Sequence, residues 1–214
     1  MKPPRMFYDR PTLDVARDLL GLVLVHKRRG VLTSGIIVEV EAYIGESDPA
    51  CHAAPGPTRR NAPLYGTPGH AYVYLNYGIH CLVNVVTEAH GSPAAVLIRA
   101  LDPLEGVGVM RRRRARDMKG RRALPNARAL PQHEICRGPG NLTMAMGITL
   151  GENTLDLLGD RLYIEDRGIE VDRVAWGPRI GIRVGTETPW RAWITDHPAV
   201  SQCPAPRPRG GAGS

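Results

Sequence analysis

"AYVYLNYGIHCLVNVV", residues 71–86, decides how the rest of the chain is read. Tyr72, Tyr74 and Asn76 share one face by period two, while Val73 and Leu75 take the other. The run "NYGI" then supplies a turn and a return strand follows, so the stretch predicts a β-hairpin. The chain holds seven tyrosines and one phenylalanine, and three of the tyrosines fall within six residues here. Tyr72 and Tyr74 have an ordinary reading as core aromatics with tethered hydroxyls. Tyr77 resists it. Beside Gly78 at a turn its side chain points into solvent, where an aromatic brings folding no advantage. On a basic protein such a ring could stack on bases or wedge into a duplex.

On the N-terminal side, "PTLDVARDLLG" (11–21) reads as a helix with Leu13, Ala16, Leu19 and Leu20 on one face and Gly21 as its stop. Residues 22–43 read as two strands joined by a turn around Arg29 and Gly30. In the second, Val38, Val40 and Ala42 are expected on one face and Glu39, Glu41 and Tyr43 on the other. Residues 44–70, dense in Gly, Pro, Asp and Asn, predict a long irregular loop, a kind that is usually functional or disordered.

On the C-terminal side, residues 94–102, 162–166 and 179–185 read as strands, and "PLEGVGVMRRRR" as the start of a helix with Pro103 early in it. Residues 111–133, rich in arginine, predict a mobile solvated loop, and 204–214 a disordered tail. Strands and helices without regular β-α alternation predict an α+β fold: one domain over 1–203.

At 214 residues the chain suits a single core. Its net charge of +7 suggests a polyanionic partner, usually nucleic acid. The basic side chains are arginine except Lys2, Lys27 and Lys119. Four scattered cysteines, no apolar leader and no run of roughly 18–20 apolar residues predict a cytoplasmic protein with free thiols and no membrane span.

Three segments could carry chemistry. In "VEVEAY" (38–43) the glutamates could be a solvated face, or a general base where a strand enters a loop. Cys51-His52 and His80-Cys81 do not have zinc-site spacing, because neighbouring strand side chains point apart. "RGPGNLTMAMG" (137–147) superficially resembles a helix-hairpin-helix DNA-binding turn, but that family is helical. "GPGNLT" is left as either an anion-binding helix start or a plain N-cap.

The motifs "FYDRPTLDVARDLLG", "IIVEVEAYIGESDPACHA", "TRRNAPLYGTPGHAYVYLNYGIHCLVNVV", "AVLIRALDPLEG", "CRGPGNLTMAMGI" and "TPWRAW" occur in that order over residues 7–195. Together they resemble the 3-methyladenine DNA glycosylase family of the alkyladenine type. The resemblance implies one α+β domain whose curved, mostly antiparallel sheet with flanking helices presents a protruding hairpin to the DNA minor groove. It implies that Tyr77 is the wedge, and that Tyr43, His52 and Tyr74 wall the pocket for the extruded base. Asn84 would crowd the amine of normal guanine, and Glu41 would activate water beside Arg99. Arg59, Arg60 and Thr188 are candidate DNA contacts. No metal or other cofactor is implied, and the partner is double-stranded DNA containing damaged purines, bound by a monomer. "TRRN" (58–61) departs from the Thr-Pro-Arg-Asn run of that family, which opens the loop's path to doubt.

A glycosylase that also cuts the strand needs an amine nucleophile. None of the three lysines lies in these motifs, which predicts base excision by water alone. The rival readings are a non-catalytic nucleic-acid module with a tyrosine platform, and a metal-dependent hydrolase.

Overall fold

The computed structural model describes residues 1–115 and 130–201. Within them the fold is α+β, and eight strands join one curled antiparallel sheet. The strands are β1 (Val23–Arg28), β2 (Val31–Ile44), β3 (Ala71–Asn76), β4 (His80–Val86), β5 (Ala94–Glu105), β6 (Leu162–Glu165), β7 (Val174–Gly177) and β8 (Arg191–Ile194). Their order is β3-β4-β5-β2-β1-β6, with β8 pairing both β2 and β7. The helices are α1 (Arg5–Tyr8), α2 (Thr12–Leu19), α3 (Val107–Arg114), α4 (Gln132–Ile135) and α5 (Pro139–Met146).

Period-two alternation divides the sheet into a core face and a site face. Val73, Val83, Val85, Val96, Ile98, Val40 and Ala42 pack with Val15, Ala16 and Leu19 of α2 and Leu142, Ala145 and Met146 of α5. Tyr72, Tyr74 and Ala95 turn the other way, onto Cys51, Ala53 and Leu64 of the 44–70 segment. That segment is irregular except for one 3-10 turn at Ala62–Tyr65. It is the lid of a second, smaller core.

The expected hairpin is present. Tyr77 and Gly78 have φ of 48° and 67°, and Ile79 N–H donates to Asn76 O at 3.0 Å. Positive φ at both central residues marks a primed turn, whose twist matches that of its strands. Glycine takes such a φ freely; tyrosine does so rarely.

Several expectations are corrected. Val38 does not share a face with Val40 and Ala42; it packs with Ile36, Ala100, Ile194 and Ala199. The cause is a pair of bulges: the β2–β5 register runs Ile37↔Leu101, Glu39↔Ala100, Val40↔Ile98, so Val38 on one strand and Arg99 on the other have no partner. Pro103 lies in β5, opposite Gly35 at another register shift, and the helix begins only after Gly106. Arg111–Arg114 are helical rather than loop, and Arg113 donates to Ala145 O and to Met146 O at 3.0 and 2.7 Å. Residues 132–133 belong to α4. The remainder of that arginine-rich segment, 116–129, and the tail from 202 lie outside the described residues.

Residues 179–185 are not a strand. Arg179 is drawn down onto Asp48, and Gly181 and Gly185 have φ of 81° and 63°, which breaks the extended run. The strands flanking it, β7 and β8, escaped the sequence reading.

Candidate active site

On the site face the strands and the two covering loops enclose a cavity of about 370 Å³. Tyr43 enters it from β2, Tyr74 and Asn76 from β3, Leu82 and Asn84 from β4, Leu97 and Arg99 from β5, and Tyr77 from the turn. The 44–70 segment contributes His52, and the 178–189 segment contributes Ile180, Gly181 and Ile182. Six of the expected residues therefore converge: Tyr43, His52, Tyr74, Tyr77, Asn84 and Arg99. Tyr77 stands at the mouth, 82% exposed.

One wall is a continuous aromatic patch. His52 and Tyr74 have ring centroids 4.4 Å apart, and Tyr72 lies 5.3 Å from Tyr74. Tyr72 lines the cavity as well and tethers His52: its hydroxyl meets His52 Nδ1 at 2.9 Å. Burial, and then the charge of Arg60, depress the His52 pKa, so the ring is neutral near pH 7. Burial pushes the Tyr72 phenol up to about 12 and raises those of Tyr43 and Tyr74 as well. The patch is thus uncharged and rich in π-faces. Asn84 donates from its amide to Tyr72 O at 3.0 Å, which fixes it across the hairpin.

Glu41 does not line the cavity. It is fully buried behind it, and three donors hold its carboxylate. Ile180 N–H reaches Oε1 at 2.6 Å, while the Tyr43 hydroxyl and an Arg99 amine reach Oε2 at 2.9 and 3.1 Å. A carboxylate offers about four acceptor positions, so roughly one remains. Arg99 also donates through Nε to Glu39 at 3.0 Å, and so bridges the two glutamates. Its place at the β5 bulge is what aims it there.

A second buried pair supports the platform from below. Arg179 donates to both oxygens of Asp48 at 2.6 and 2.8 Å, and its guanidinium sits 4.7 Å from the Tyr43 ring and 5.1 Å from that of Trp190. Burial would lower the Arg179 pKa, but Asp48, Tyr43 and Glu41 raise it beyond the ordinary value. Sequence reading missed both residues; an aspartate in a loop and an arginine 131 positions later carry no local signal.

The expected DNA contacts divide. Arg59 and Arg60 are exposed, and Arg60 lies over Tyr74 at 5.9 Å while reaching Leu75 O on the edge strand β3. Within "TRRN", Thr58 and Asn61 bond each other: Thr58 N–H donates to Asn61 Oδ1 at 2.6 Å and Asn61 N–H to Thr58 Oγ1 at 3.2 Å. Thr188 does not reach the cavity. It donates to Gly185 O at 2.8 Å and braces Arg179.

Among the described residues no three His, Cys, Asp or Glu side chains converge as a metal site requires. Cys51, Cys81 and Cys136 are free thiols. No described helix is long and apolar enough to cross a membrane.

A family model described as methylpurine-DNA glycosylase matches residues 6–198. The chain belongs to the methylpurine-DNA glycosylase family. Similar relatives share the name "Putative 3-methyladenine DNA glycosylase". That of Methanocella arvoryzae is 48% identical, covering 93% of this chain and 95% of the relative. Those of Prosthecochloris aestuarii and Chlorobaculum parvum are 42% and 41% identical, each over more than nine-tenths of this chain. Membership makes the chain a DNA repair enzyme, a hydrolase of N-glycosyl bonds whose substrate is DNA carrying alkylated bases.

Proposed function

We propose that this enzyme rotates alkylated purines, 3-methyladenine and 7-methylguanine foremost, out of duplex DNA into the aromatic cavity. There it hydrolyses the glycosidic bond with water activated by Glu41. Hypoxanthine and ethenoadenine are candidate further substrates. The observation that carries the proposal is an uncharged aromatic cavity beside an exposed tyrosine, with a buried carboxylate directly behind two of its lining residues, Tyr43 and Arg99.

Rotating a nucleotide out of the stack costs a few kcal/mol. Tyr77 at the hairpin tip can fill the vacated space and slow return. Alkylation at N3 or N7 leaves the purine cationic, and Tyr43 together with the His52–Tyr74 patch offers it electron-rich faces, worth about 0.5–2 kcal/mol. A neutral His52 avoids repelling that charge. The charge also weakens the glycosidic bond, so the leaving group needs no proton. Glu41 then takes the proton of water as it attacks C1′, and its negative charge stabilises the oxocarbenium-like centre. Ile180, Tyr43 and Arg99 leave the carboxylate about one acceptor position, and that is the one the water takes.

Among the described residues the amines lie away from the cavity. Lys2 is paired with Asp160 and, like Lys27, sits on the Tyr163 ring beside β6; the N-terminal amine bonds Asp166 O. Lys119 lies outside the described residues. Incubation with methylated duplex DNA should release free purine and leave abasic sites that break only under alkali. Strand breaks without alkali would contradict the water route.

Tyr77→Ser should lower excision from a fully paired duplex by about tenfold, or about 1.4 kcal/mol of the unstacking cost. It should do much less to the same lesion in a loosely paired context. Equal losses in single-turnover rates on the two substrates would remove Tyr77 from base opening.

A further inference from the structure

Beneath the cavity lies a row of four buried charges that alternate in sign: Glu41, Arg99, Glu39 and Arg191. Arg191 sits on β8 with its Cα opposite Glu41, yet its side chain runs diagonally to Glu39, donating from Nε at 2.7 Å. Its other amine donates to Ser201 O at 2.8 Å, and its guanidinium lies 4.4 Å from the Trp193 ring. Glu39 Oε1 therefore accepts from two arginines, and Oε2 accepts from Ser201 N–H at 2.8 Å. No side chain in this row but Arg99 lines the cavity.

We propose that Glu39 and Arg191 are positioning residues which, by sharing Arg99 between two carboxylates, keep Glu41 from being fully claimed by its arginine. The inference rests on the reading of Glu41 as the base. A carboxylate paired with one whole guanidinium is a weak proton acceptor. Glu39 draws the Arg99 Nε edge away and adds a second negative charge to the same buried space. Both effects make Glu41 a better acceptor. Arg191 acts in the opposite sense, because it neutralises Glu39 and so limits its pull.

The remaining charged and titratable groups facing Glu41 are Tyr43 on its own strand, Tyr74 on β3, Arg99 on β5, and Arg179 with Asp48 from the covering loops. Of these only Arg99 bonds Glu39, so the substitutions below act on Glu41 through Arg99 and leave the other groups in place. The burial of Glu39 would raise its pKa, but Arg99, Ser201 and Arg191 hold it below the ordinary carboxylate range. It is a fixed negative charge at neutral pH.

The test is the acid limb of the pH profile for single-turnover release of methylated purine, since that limb reports the essential base. Glu39→Gln should move it to lower pH by about half a unit or more, with a slower plateau, and Arg191→Gln should move it to higher pH. Glu39→Asp keeps the charge and should hold the limb near its original place. A merely structural role would lower melting temperature and yield in all three without shifts of opposite sign. An unmoved limb, or shifts in one direction, would overturn the proposal. Should Glu39→Gln fail to fold, the sign of the Arg191→Gln shift decides alone. Glu41→Gln is the control that separates the two layers. If it still turns over, the base assignment fails; if it is inactive while the limbs of the other variants stay put, only the present inference fails.

Discussion

Glu41→Gln is expected to bind duplex DNA containing a methylated purine as well as the parent does, and to release that purine about 10²–10⁴-fold more slowly. The amide has the shape of the acid but cannot take a proton from water, and it carries no charge to oppose the positive centre at C1′. Its oxygen can still accept from Ile180 or from Arg99, but its NH₂ must then face another donor of the set. Some local loosening follows, so melting temperature and affinity for an uncleavable abasic analogue should be measured beside the rate. Retained binding with lost turnover is the expected pattern. Parent-like turnover would take Glu41 out of the reaction.

The largest expected effect on stability is at Asp48→Ala. Its partner Arg179 has no exposed side-chain surface, and removing one member of a buried ion pair typically costs about 3–5 kcal/mol because the other is left uncompensated. For a domain of this size that corresponds to a fall of roughly 6–20 °C in melting temperature. Arg179→Met in the same chain should restore most of the loss, since the pair's net value over apolar packing is small. The double variant should remain a poorer enzyme, because Arg179 ties Ala42 O, Gly185 O and Thr188 to the loop that delivers Ile180 N–H to Glu41. Full activity in the stable double variant would mean that the loop needs no such tie.

Much of this architecture is legible in the sequence because it depends on local pattern. The alternation in 71–86, the Tyr77-Gly78 turn and the helix at 12–19 each follow from residues within one element. What escaped depends on partners far away. The bulges at Val38 and Arg99 look like unbroken period two in either strand alone and appear only where the strands are paired. Ile180, Ile182 and Val184 alternate as a strand would, but Asp48 captures Arg179 and the two glycines let the chain bend. Arg111–Arg114 look like solvated charge, yet Arg113 covers the last carbonyls of α5, a favourable place for a cation. Glu39 was visible as half of a pair; its work became apparent only with Arg191 folded against it from 152 residues away.

The left-handed backbone at Tyr77 has a consequence for how such an enzyme can be improved. Asparagine or glycine would occupy that tip more comfortably than a bulky ring does. Directed selection for heat resistance alone would therefore tend to discard the side chain that we propose parts the helix. Hardening this molecule safely means working on the face that carries α2 and α5, well away from the hairpin's end.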